Sequence, residues 1–140
     1  MSAGHRAIEH TADVAFALWA DDLPALLLEG ARALVELLTE GDSATTPPSA
    51  VLGRAVSIDA IDDEDRLVRW LNEVAWWAAD EGFLVADATL QPTPEGLRGE
   101  ARGELAPGRV VAEIKSATYH GLQITRDDDG RLHATVCLDV

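Results

Sequence analysis

Cysteine is almost absent from this chain: Cys137 stands alone among 140 residues. A single thiol excludes an intramolecular disulfide and a multi-cysteine zinc site, and points to a reducing interior. Long apolar runs are also missing. The longest, Val14 to Ala20, falls far short of the roughly 20 residues that span a bilayer. Glu9 and Asp13 stand where the apolar region of a secretion signal would lie. The expectation is therefore a cytoplasmic protein with no membrane association. Nucleotide and catalytic signatures are lacking too: no GxxxxGK[ST], no GxGxxG, no HExxH and no GxSxG. Positive charge is scarce. Eleven Lys and Arg face 25 Asp and Glu, for a net charge of -14 and a pI of about 4.4. That balance argues against direct binding to a phosphate backbone. It suits cations or a basic protein partner, or it serves solubility alone. Lysine is the scarcest of all, since Lys115 is the only one beside ten arginines. A compact ammonium does things that a rigid guanidinium fork does not. A coding bias toward arginine is the competing explanation.

What is present fits one α+β domain over residues 1–140. Apolar residues make up 47% of the chain, enough for a packed core. Residues 6–9 read as a short strand. Val14, Phe16 and Leu18 alternate with Ala15, Ala17 and Trp19 as a second. Asp21 and Asp22 offer an N-cap, and Pro24 fits the first turn, of an amphipathic helix carrying Leu23, Leu26, Leu27, Ala31, Leu34, Leu37 and Leu38, which ends near Gly41. Residues 42–49 read as a loop, and Val56, Ile58 and Ala60 as a strand. Asp62 to Asp65 crowd the start of a second helix, where anions suit the macrodipole. Its buried stripe is Leu67, Leu71, Val74 and Ala78, widened by Trp70 and Trp77, and it stops at Gly82. Five strands follow, over 83–91, 97–105, 109–115, 121–126 and 131–138, with turns at Pro94-Glu95-Gly96, Pro107-Gly108 and Asp129-Gly130. Two helices covering one side of a largely antiparallel sheet is the expected architecture.

Three polar segments stand out. Glu9-His10-Thr11-Ala12-Asp13 joins the first two strands, either as a functional loop or as a turn capped by Thr11 and Asp13. Lys115-Ser116-Ala117-Thr118-Tyr119-His120-Gly121 gathers an ammonium, a phenol and an imidazole, which could bind an anion or move a proton; an ordinary polar loop is the alternative. The chain end places Asp139 and Val140 just past an alternating strand whose core face is Leu132, Ala134, Val136 and Leu138. Carboxylates gathered there would suit Ca²⁺ or Mg²⁺, whereas a frayed end would bind nothing. The acidic run at Asp127 is no EF-hand, because the twelfth loop position falls on Val136 instead of Glu.

Together these segments resemble the archease family. The matching stretches are Glu9 to Val14, Trp70-Leu71-Asn72-Glu73, Lys115 to Leu122 and the terminal Asp139-Val140. Ala15 stands where the family usually has Gly, and Ser116 where it usually has Ala. The resemblance implies an accessory protein, not an enzyme. It would activate an RtcB-type RNA ligase, which joins 3′-phosphate or 2′,3′-cyclic-phosphate RNA ends to 5′-hydroxyl ends in tRNA splicing and repair. It would promote guanylylation of that ligase and its multiple turnover. The resemblance also implies a divalent cation, usually calcium, held by Asp13, Asp139 and Val140. Lys115, His120, Glu9 and His10 are then the candidates for ligase-activating contacts, without tight binding to RNA. A general chaperone or structural adaptor is the alternative; Trp76 and Trp19 are its candidate exposed apolar groups. An independent metal-dependent hydrolase lacks any recognisable nucleophile or general-base motif.

Overall fold

A computed structural model describes residues 3–9, 14–41 and 52–140. The expected loop over 42–49 and the residues His10 to Asp13 lie outside them. Strand β1 (Gly4–Glu9) pairs antiparallel with β2 (Val14–Ala20), which leads into helix α1 (Leu23–Leu38). Then come β3 (Leu52–Asp59), helix α2 (Asp63–Glu81), β4 (Phe83–Thr93) and β5 (Gly96–Leu105). Three more strands complete the chain: β6 (Ser116–Thr118), β7 (Thr125–Arg126) and β8 (Leu132–Asp139).

Both helices begin and end as their sequences dictate. The Asp22 carboxylate accepts from Ala25 N–H at 2.9 Å, and Asp62 accepts from Asp65 N–H at 2.7 Å. Each satisfies a donor that a helix start otherwise leaves bare. Gly82 closes α2 in the left-handed conformation, φ 70°, where a side chain would meet Pro107.

The α+β class holds, but the strands form two antiparallel sheets. One follows the order β1-β2-β8-β6, with β7 also on β8; the other is β3-β5-β4. Each helix packs against strands of both sheets. One buried cluster therefore joins Phe16, Leu18 and Val136 of the first sheet to Val85, Leu97 and Ala101 of the second. Trp70 sits at its centre, fully buried, and its indole N–H donates to Leu27 O at 2.8 Å. Burying an indole without that partner would cost about 1–3 kcal/mol. Gly30 lets α1 approach closely, because a Cβ there would press on Leu71, Leu18 and Leu67 at 3.2–3.3 Å.

The expected strands over 109–115 and 121–126 are largely replaced. Pro107–Arg109 forms a 3₁₀ turn, and Val111 and Ala112 both donate to Leu38 O at the end of α1. Only Thr125–Arg126 of the second stretch pairs, opposite His133 and Leu132. These backbone donors found helix-borne acceptors, so alternation along the segment did not produce a ladder. Among the described residues no helix is long and apolar enough to cross a membrane.

One tie between β1 and α1 depends on pH. The His5 ring bonds Glu29 through Nδ1, and Glu36 through Nε2 at 2.7 Å. Both partners only accept, so the doubly protonated ring suits them best. Burial opposes the charged ring, but the bonds and charges of Glu36 and Glu29 outweigh it, and the pKa is raised above its ordinary 6.5. A raised pKa contributes stability that is complete below 6.5 and is lost as pH rises through the folded-state value. Thermal unfolding of wild type and His5→Gln should therefore differ clearly at a pH just below 6.5 and converge in alkaline buffer. A gap independent of pH would contradict this.

Candidate functional site

The segment carrying Lys115 and His120 is shaped by α2. Asp65, Arg69 and Asn72 follow the i, i+4, i+7 spacing that places side chains on one helix face. Asn72 Oδ1 accepts from Ala117 N–H at 2.7 Å, across 45 residues of sequence. Glu64 accepts from Ile124 N–H at 2.9 Å. Between them the Tyr119 hydroxyl donates to Asp65, which also accepts from Arg69 Nε at 2.9 Å and Ile61 N–H at 3.1 Å. Burial pushes the Asp65 carboxyl up, but the bonds from Tyr119, Ile61 and Arg69 outweigh it and hold its pKa below the usual carboxylate value. The same bond to Asp65, helped by burial, raises the Tyr119 phenol, so it stays a donor.

A second group of residues gathers at one end of the first sheet. Glu9 pairs with Val14, Val14 with Leu138, and Leu138 with Ala117, in one row across four strands. Just beyond that row Ser116 faces Asp139, and Lys115 N–H donates to Asp139 O at 2.8 Å. Lys115, Asp139 and Val140 are exposed, and no hydrogen bond or ion pair engages the Asp139 carboxylate among the described residues. Asp13 and His10 lie outside the described residues, and of Glu9 only the backbone is described. Asp13 immediately precedes Val14 in the sequence, however, and Val14 sits opposite the residue before Asp139.

Lys115 and His120 are thus not neighbours. They flank the three-residue strand β6, Lys115 at the Asp139 end and His120 beyond the other. His120 and Gly121 form the centre of a turn closed by Leu122 N–H on Tyr119 O at 3.0 Å, with Gly121 at φ 65°. The turn begins at Tyr119, whose hydroxyl is held by Asp65. Beside the same helix face lies an open polar depression of about 480 Å³, lined by Ser57, Ile58, Asp59, Arg69, Asn72 and Glu73. The Asp127 run is a solvated hairpin turn, as expected: Asp127 Oδ1 accepts from Asp129 and Arg131 N–H. Sequence reasoning missed Asp65, whose first-turn position read as an ordinary favourable charge at a helix start. Only its partner Tyr119, 54 residues away, marks it as different.

These features define a small acidic α+β domain. Its candidate functional groups lie at one sheet end and along one helix face. The Archease protein family (MTH1598/TM1083) matches residues 5–140, and the chain belongs to that family. Protein archease of Methanopyrus kandleri is 38% identical, over 95% of this chain and 96% of its own. Protein archease of Archaeoglobus fulgidus is 30% identical over 97% and 98%. The solution structure of Methanobacterium thermoautotrophicum protein 1598 superposes with a TM-score of 0.74 at 27% identity, covering 98% of this chain and 99% of that one.

Asn72→Ala should leave the Ala117 N–H without its acceptor. The expected loss is about 1–3 kcal/mol in urea unfolding, with faster amide exchange at Ala117. Wild-type protection of that amide in the variant would show that Asn72 does not hold the edge strand.

Proposed function

We propose that this protein is an accessory activator of an RtcB-type 3′-phosphate RNA ligase. It promotes guanylylation and multiple turnover of the ligase and carries out no reaction of its own. The reading is carried by one juxtaposition inside an archease-family chain: the only lysine donates its backbone N–H to Asp139, at the sheet end where β1 turns back into β2. An ammonium there, engaged by no ion pair among the described residues, can neutralise or orient a phosphate at the partner's active site. Most arginines cannot, since Arg32, Arg54, Arg66, Arg69, Arg98, Arg102 and Arg109 are tied to carboxylates. The net charge of -14 favours a basic protein surface over RNA. GTP and the ligase's own metal belong to the partner.

Asp13, Asp139 and Val140 are proposed as a divalent-cation site, for Ca²⁺ or Mg²⁺. The exposed Asp139 carboxylate is a hard oxygen donor that fits such an ion. A bound ion would supply fixed positive charge beside Lys115. The function is exercised in the cytoplasm in this reading. The chaperone alternative is separated by the assays that follow.

Ligation of a 3′-phosphate RNA by the cognate ligase should rise several-fold in the presence of this protein. Lys115→Ala should abolish the gain at unchanged melting temperature, and Lys115→Arg should restore it only in part. Full activity in Lys115→Arg would refute a specific role for the ammonium. Calcium titration by calorimetry should show one site, weakened roughly tenfold or more in Asp13→Asn and in Asp139→Asn. Wild-type affinity in both variants would remove the assignment.

A further inference from the structure

Tyr119 is 52% exposed, yet its hydroxyl is committed to Asp65, a carboxylate only 5% exposed. A tyrosine serving only the core would bury its ring, and one serving only solubility would leave its oxygen in water. Here the ring is outside and the oxygen is anchored inside. The anchor is itself fixed, since Ile61 N–H and Arg69 Nε both donate to the same carboxylate. The residues that follow, His120 and Gly121, have no strand neighbour. Their turn is suspended between Tyr119 on Asp65 and Ile124 N–H on Glu64, successive residues of the first turn of α2.

We propose that Asp65 is a positioning residue for ligase activation: acting through Tyr119, it fixes the direction in which the His120–Gly121 turn is presented to the ligase. The inference rests on the ligase reading above and adds a residue and a route to it. Arg69 keeps the carboxylate charged and aimed, and a charged acceptor holds a hydroxyl more firmly than a neutral one. Without the bond, the turn is tethered at Tyr119 by backbone alone, and the imidazole samples orientations that do not meet the partner.

Tyr119→Phe is the decisive variant, because it removes one oxygen from an exposed ring and leaves the core untouched. Asp65→Ala also strips Ile61 and Arg69 of their acceptor and lowers the melting temperature. Asp65→Asn keeps an acceptor oxygen for Tyr119 and serves as the conservative rescue. At saturating protein, Tyr119→Phe should lower the stimulated ligation of a 3′-phosphate RNA by roughly tenfold, the scale of one charged hydrogen bond. Its melting temperature should fall only slightly, and less than that of Asp65→Ala, because Ile61 and Arg69 still serve the carboxylate, while amide exchange at His120 and Gly121 accelerates. Asp65→Asn should retain most of the stimulation. The positioning role is overturned if Tyr119→Phe stimulates as well as wild type, or if its turn amides stay equally protected. Wild-type protein that leaves the ligase unstimulated would defeat the ligase reading itself and this role with it. Full stimulation by both wild type and Tyr119→Phe defeats the positioning role alone.

Discussion

The hydrogen bond from Ala117 N–H to the Asn72 side chain stands where another strand would be. β6 is the edge of its sheet, paired on one side only, with β8. An edge strand of three residues has little to hold it, and its outward N–H groups invite pairing with another chain. Asn72 supplies a single acceptor to that edge, and Asp65 and Glu64 continue the same service into Tyr119 and Ile124. The opposite side of α2 carries Trp70, Leu71, Val74 and Trp77 into the core. One helix thus anchors the hydrophobic centre and holds the chain segment with the candidate residues, so a shift of α2 would move both.

Charge is organised in the same economical way. A domain with 25 acidic residues repels itself unless its few cations are well placed. Arg66 shows how: it donates to Gly96 O at 2.8 Å and Thr93 O at 2.6 Å, and pairs with Asp63 at 2.8 Å. The start of α2 is thereby pinned to the β4–β5 hairpin. Planar guanidinium groups suit such multidentate ties. Lys115 is left outside this system, at the sheet end with Asp139. The scarcity of lysine acquires physical content there, because most of the arginines are tied to carboxylates of the fold while no ion pair engages the ammonium among the described residues.

The sequence by itself determined both helices, a cap at Asp21 or Asp22, the acidic start of α2 and its stop at Gly82, the buried stripe of α2 and the alternating core face of β8. Each depends on chemistry within a few residues: a side-chain oxygen reaching a backbone N–H three positions on, a glycine tolerating positive φ, or a fixed period of apolar residues. The Lys115 to His120 segment and Asp139 were likewise legible as polar islands beside strands. Tertiary structure alone decided how they relate. It divided the strands into two sheets. It turned 107–115 onto the end of α1 instead of into a ladder. It set Lys115 with Asp139 and Tyr119 with Asp65. Those outcomes rest on bonds between residues far apart in the sequence, such as Val111 to Leu38, Asn72 to Ala117 and Glu64 to Ile124. A local pattern shows that a backbone donor needs a partner; only the packed chain brings a particular helix face within reach of it.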